Sequence, residues 1–126
     1  MNLPPLANAE LAVMELLWKS EALTARGIRE MLYPAATKAQ HGTVQKLLQR
    51  LEQKRLVRRD REQSVHRFSA AVERDVYAGE QLESLVQKLS QGSLAPLIAH
   101  LIETKKISPA EIQRLLHILE AAGSAR

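Results

Sequence analysis

HGTVQKLLQRLEQKRLVRRD, residues 41–60, holds two structural periods in one short run. As far as Arg55 the apolar residues Val44, Leu47, Leu48 and Leu51 fall at i, i+3, i+4 and i+7, the stripe of an amphipathic helix. Beyond Arg55 the period changes, and Leu56–Asp60 reads as a strand. Stepping residues by about 100° places Gly42, Lys46, Gln49 and Gln53 opposite the stripe. Thr43, Gln45 and Arg50 flank them, so the face away from the core is amide and cation with a single acid, Glu52, in the helix. Such a face is either an ordinary solvated surface or a surface shaped for an anion.

Outward from this stretch, REQS (61–64) reads as a turn and VHRFSA (65–70) as a second strand. Leu56, Val65 and Phe68 are expected to point inward, and Arg58, Arg59, Arg61 and Arg67 to populate the outer face and the turn. Upstream, NAELAVMELLWK (8–19) carries Leu11, Met14, Leu17 and Trp18 at helical spacing, with Asn8 as the expected cap and Trp18 as a core anchor. Ala22–Leu23 reads as a brief strand. Thr24 then caps TARGIREMLY, Pro34 ends that helix, and PAATKAQ (34–40) reads as a polar connection. Helix, short strand, helix, helix and hairpin, in that order, is the winged form of the helix-turn-helix.

From about Glu73 the pattern is all helix. Leu82, Leu85, Val86 and Leu89 share one stripe; Gly92 breaks it, and Ser93 is the expected cap of SLAPLIAHLIET, whose apolar residues include Leu97 and Leu101. SPAEIQRLLHILEA opens with a capping box, Ser108 with Glu111, and repeats the stripe at Ile112, Leu115, Leu116 and Leu119. Three apolar faces in so short a segment make a poor core alone. They are expected either to fold back on the first part or to pack against a second copy. The expected fold is therefore mainly α (α+β): a winged helix-turn-helix over 1–72 and an all-helical dimerisation region over 73–126.

The charge follows the same division. The chain has 126 residues and a net charge of +4; residues 1–72 hold 12 Lys and Arg against 7 Asp and Glu, and residues 73–126 hold 6 against 7. Lys46 to Arg67 alone carries eight bases and three acids. A basic first part joined to a near-neutral second fits a polyanion-binding module with an appendage.

Catalytic signatures are missing. With no cysteine, disulfides, thiolate metal sites and a cysteine nucleophile are excluded. His41, His66, His100 and His117 form no HxxxH or HExxH pair, and no glycine-rich phosphate loop or GxSxG occurs. No catalytic residue, metal site or cofactor is expected. No apolar run approaches a membrane span, and MNLPPLANAE lacks the basic and apolar regions of a secretory leader, so a cytoplasmic protein is expected.

The basic segment does carry chemistry. A major groove admits a helix, and base edges there present groups that such side chains match: Gln45 and Gln49 for adenine, Lys46 for guanine acceptors or a phosphate, Thr43 for a phosphate or a thymine methyl. Gly42 is expected to bring backbone N–H groups at the helix start close to a phosphate. Arg50 flanks this face, and Arg58, Arg59, Arg61 and Arg67 suit phosphates, which position a protein without specifying sequence. A palindrome read by two copies gives dimerisation a logic. The rival is a winged-helix adaptor that docks on an acidic protein, against which the absence of an exposed aromatic anchor on the third helix argues.

LANAELAVMELLW, LTARGI, GTVQKLLQRLEQKRLV, REQSVHRFSAAVERDVY and SLAPLIAHLIETKKISPAEIQRLLHILE together resemble the BlaI/MecI penicillinase-repressor family of bacteria, over nearly the whole chain. The resemblance implies a winged helix, a helical dimerisation region and repression at a dyad operator on double-stranded DNA, with contacts at Thr43, Lys46 and nearby positions and a wing at Arg61–Ser64. It also implies a regulatory metallopeptidase as a partner, which in related repressors cuts an Asn-Phe bond; the aligned pair here is His100-Leu101. Gly42 stands where the family usually has lysine. Arg55 stands where it often has glycine, so the turn into the strand is expected to be made differently. The cysteine cluster of the copper-responsive branch is absent.

Overall fold

The computed structural model describes residues 3–35 and 38–124, with backbone alone at 38, 39 and 124. Its elements are α1 (Asn8–Lys19), β1 (Leu23–Thr24), α2 (Ala25–Leu32), α3 (Lys38–Gln53), β2 (Val57–Asp60), β3 (Arg67–Ala70), α4 (Arg74–Ser90), α5 (Ala95–Glu103) and α6 (Pro109–Ser124). The three strands form one antiparallel sheet in the order β1-β3-β2, with Leu23 opposite Phe68 and Val57 opposite Ala70. This is the winged helix expected from the sequence.

The chain divides into two compact units, one ending at Leu82 and the other starting at Glu83. The core of the first is Val13, Met14 and Leu17 of α1, Ile28 of α2, Val44, Leu47, Leu48 and Leu51 of α3, and Leu56, Val57, Phe68 and Tyr77. The stripe read from residues 41–51 is thus the central wall of the core, with Val44, Leu48 and Leu51 fully buried. Trp18 closes one side: its indole N–H donates to the Val72 carbonyl at 2.9 Å, Arg74 lies 5.0 Å over its ring, and Arg74 pairs with Glu15. Tyr77, in the first turn of α4, donates its hydroxyl to the Pro4 carbonyl at 2.8 Å, so the start of α4 belongs to this unit.

Several local expectations are corrected. Asn8 lies inside α1; Ala7 is the cap, and its N–H donates to Glu10 Oε1 at 3.0 Å. This is the glutamate half of a capping box; the alanine at the cap has no side-chain acceptor for the other half. Thr24 caps α2 as expected, accepting from the Gly27 N–H at 3.0 Å. Val65 does not point inward: it is 60% exposed, because the hairpin connection spans 61–66 and places it outside the ladder. The connection read as PAATKAQ is shorter, since α3 already begins at Lys38; Ala36 and Thr37 lie outside the described residues.

Arg55 makes the turn into β2 in the left-handed way that glycine makes it, contrary to expectation, with φ +64°. Its N–H donates to the Glu52 carbonyl at 3.0 Å, and the Leu56 N–H to the Leu51 carbonyl at 3.0 Å. These two bonds are the Schellman motif, closed by contact between two buried leucines.

In the second unit Gly92 has φ +89°, and its N–H donates to the Val86 carbonyl at 3.2 Å, ending α4. Ser93 is not the cap of α5; Leu94 holds that position without a side-chain bond, and Pro96 follows in the first turn. Ser108 Oγ accepts from the Glu111 N–H at 3.1 Å, as read from the sequence. None of the residues of α5 is buried.

A left-handed residue other than glycine is strained by about 1–2 kcal/mol. Arg55→Gly should therefore raise stability, by about 0.5–1 kcal/mol after the added freedom of the unfolded chain is counted. A higher midpoint in thermal or urea unfolding checks this.

Candidate nucleic-acid interface

Burial of the apolar stripe turns the opposite side of α3 to solvent. Thr43, Gln45, Lys46, Gln49 and Arg50 are all exposed, and they form one continuous polar and basic face. The Gln45 amide donates to His41 Nε2 at 3.2 Å, one turn back, so His41 joins this face. Gly42 lies on the second turn of α3, not at its start, so it does not offer terminal N–H groups as expected. A Cβ added there would meet nothing within 4 Å, so packing does not require the glycine.

The wing stands beside this face. Between them runs a groove of about 650 Å³, lined on the helix side by His41, Gln45, Gln49 and Glu52 and on the wing side by Arg59, Arg61 and His66. Arg58 and Arg67 are exposed on β2 and β3. Among the described residues, Lys46, Arg50, Arg58 and Arg67 form no ion pair with a carboxylate. Arg59 and Arg61 differ: Glu52 holds both, Oε1 at 3.3 Å from Arg59 Nη2 and Oε2 at 3.0 Å from Arg61 Nη2. Arg59 is further fixed over the Phe68 ring, 4.8 Å from its centroid.

Sequence reasoning placed the helix face and the basic hairpin together but missed His41, His66 and the position of Glu52. The signal for Glu52 was available: it follows Gln49 by three residues and so shares its side of the helix.

The far end of α3 is tethered to α1. Lys54 Nζ donates to both oxygens of Glu10, at 2.8 and 2.9 Å, and Glu10 is only 3% exposed. Each charge stands at the helix end that favours it, the carboxylate at the start of α1 and the ammonium at the end of α3. Burial pushes the Glu10 carboxyl up, but the bonds from Lys54 and the Ala7 N–H outweigh it and hold the group below its ordinary 4.5.

A three-helix core, a three-stranded wing and a cationic face on the third helix define a winged-helix regulator. A penicillinase repressor family profile matches residues 6–121, and the chain belongs to that family, which is one of transcriptional repressors and not of enzymes. The chain is 34% identical to "Transcriptional regulator BlaI" of Mycobacterium tuberculosis (strain ATCC 25618 / H37Rv) over 128 residues, covering 99% of this chain and 92% of that protein. It is 25% identical to the "Penicillinase repressor" of Bacillus licheniformis over 119 residues, covering 94% of this chain and 92% of that one. The crystal structure of YusO protein from Bacillus subtilis superimposes with a TM-score of 0.52 at 23% identity, covering 96% of this chain and 77% of that one, a likeness of fold. Among the described residues, no helix is long and apolar enough to cross a membrane.

Glu10→Gln should destabilise the protein by about 2 kcal/mol at neutral pH, the scale of hydrogen bonds to a charged group. Because the folded carboxyl titrates below its unfolded value, its contribution is present above about pH 4.5 and is lost as pH falls through the depressed value. Urea unfolding across pH 3–7 should show wild type and variant converging at the acid end.

Proposed function

We propose that this chain is a DNA-binding repressor that acts as a homodimer on an operator of dyad symmetry, with α3 in the major groove and the wing on the backbone. The observation that carries this reading is the exposed face of Thr43, Gln45, Lys46, Gln49 and Arg50, whose cations pair with no carboxylate among the described residues, on a unit whose strands also expose Arg58 and Arg67. A helix of that diameter fits the major groove, and amides and cations at its surface match base-edge acceptors and donors. Gln45 and Gln49 suit adenine, Lys46 suits guanine or a phosphate, and Arg58, Arg61 and Arg67 suit phosphates.

Dimerisation is supported by the second unit. Leu85, Leu89, Leu101, Leu116 and Leu119 are exposed, Leu89 by 67% and Leu119 by 65%, while Leu97, Ile112 and Leu115 are half-buried and Val86 is buried. Leu82, at the end of the first unit, is 48% exposed on the same helix. Leucines in this number at a surface mark an association face. A second copy would cover it and set two α3 helices against two half-sites.

A regulatory metallopeptidase would meet an obstacle at His100–Leu101. That bond lies within α5, where the His100 carbonyl accepts from the Thr104 N–H at 3.0 Å and from its hydroxyl at 2.9 Å. Cleavage there requires the end of α5 to unwind.

Titration of dyad-containing upstream DNA across a salt series should show affinity falling steeply, with a log–log slope reflecting several phosphate contacts. A flat response would sink the reading. Lys46→Ala should cost about tenfold on the preferred sequence and little on others, and Arg61→Ala should weaken every sequence and flatten the slope by about one per protomer. Light scattering should give twice the chain mass of 14.1 kDa at micromolar concentration, and Leu89→Glu with Leu119→Glu should return it to the monomer value.

A further inference from the structure

We propose that Glu52 is a specificity-determining residue: by occupying Arg59 and Arg61 it limits how tightly the wing grips phosphate, so that base contacts rather than charge decide where the protein binds. The inference rests on the DNA-binding reading above and deepens it.

Glu52 is the only acid in α3, a helix whose outward face is otherwise amide and cation. It is placed on the side that matters, because it lines the same groove as Gln45 and Gln49. Its two oxygens are divided between two arginines, 3.3 Å to Arg59 and 3.0 Å to Arg61. Arg59 is held from two directions, by that carboxylate and by the Phe68 ring at 4.8 Å, and its Nε is buried without a hydrogen-bond partner. Among the described residues Arg61 is tethered only by Glu52, and its side chain is 59% exposed. An exposed pair of this kind is weak, so it exchanges readily when a phosphate competes.

The consequence for binding has two parts. In the free protein the carboxylate cancels cation charge at the wing. In a complex it remains beside the backbone as a like charge that every phosphate at that position must face. Both effects fall on the sequence-independent part of the affinity, which is almost wholly electrostatic in non-specific binding. They fall less on an operator complex, where base contacts already fix the register and fewer phosphates lie within reach of a freed arginine. Lowering non-specific binding more than operator binding raises the ratio of the two, the quantity that matters against an excess of competing sites.

The test uses full-length wild type and Glu52→Gln, which keeps the side-chain volume and removes the charge. A duplex recovered by selection with wild type and a scrambled version of it serve as probes, and unfolding midpoints confirm that both proteins are folded. The expected result is about a tenfold gain on the scrambled duplex, a gain of only about threefold on the selected one, and a salt slope steeper by about one per protomer. In an Arg61→Ala background the gain from Glu52→Gln should shrink to about half or less. Equal or weaker binding of the scrambled duplex by Glu52→Gln, with an unchanged slope, would overturn the inference and make the carboxylate a strut for the wing. If wild type selects no duplex and shows no salt response, the DNA-binding reading itself fails, a distinct outcome that removes this inference with it.

Discussion

The burial of one stripe, Val44, Leu47, Leu48 and Leu51, sets the rest of the first unit. These four side chains fix the rotation of α3 about its own axis, because a helix with one face pinned to a core has no freedom left in the other. The exposure of Thr43, Gln45, Lys46, Gln49 and Arg50 is therefore a product of core packing, and no separate feature is needed to present them. The last member of the stripe also starts the wing. Leu51 accepts the bond from Leu56 that closes the turn, so the leucine that seats the helix also aims the strand after it. Core and proposed binding face are thus one device, and a substitution that loosens the stripe would blur the face before it unfolded the protein.

Charge is arranged in two ways around that device. The Glu10–Lys54 pair is largely out of solvent, stands at favourable helix ends and ties the end of α3 to the start of α1. Removing either partner leaves the other poorly solvated, so the pair acts on stability and on the placement of α3. The Glu52 pairs lie at the surface, where screening makes them worth little to folding. Their effect is on the field that the face presents to an anion. One glutamate steadies the helix, while another, on the proposal above, moderates what the helix and wing offer.

Much of this was legible in the sequence, for physical reasons that particular residues show. The apolar spacing of α3 and the caps at Thr24 and Ser108 are local signals, set by residues three or four apart, and the structure carries them. Asn8 and Ser93 misled because a residue type that can cap does so only if the chain enters the helix there; α1 is entered at Ala7, whose own N–H is met by a glutamate of the first turn. Arg55 misled in the other direction. The turn is demanded by the two buried leucines that flank it, and an arginine accepts the left-handed strain because the surrounding bonds impose it. The split of Glu52 between two arginines needed the hairpin's return path, which depends on sheet register and so is not a local property.

The two units solve the burial problem differently. The first closes a core of a dozen side chains from helices and sheet together, although its chain is poor in aromatics. The second has an equally apolar pattern in α5 and α6 but leaves the α5 residues unburied and leucines such as Leu116 and Leu119 in solvent. Helices with apolar stripes and nothing to bury them against hold their shape weakly, since most helical stability in proteins comes from packing. A second copy would supply that packing, and the order of the second unit would then be linked to association by mass action. On that view occupancy of the DNA would depend on protomer concentration more steeply than first power, because the unit that joins two reading faces is completed only when two chains meet.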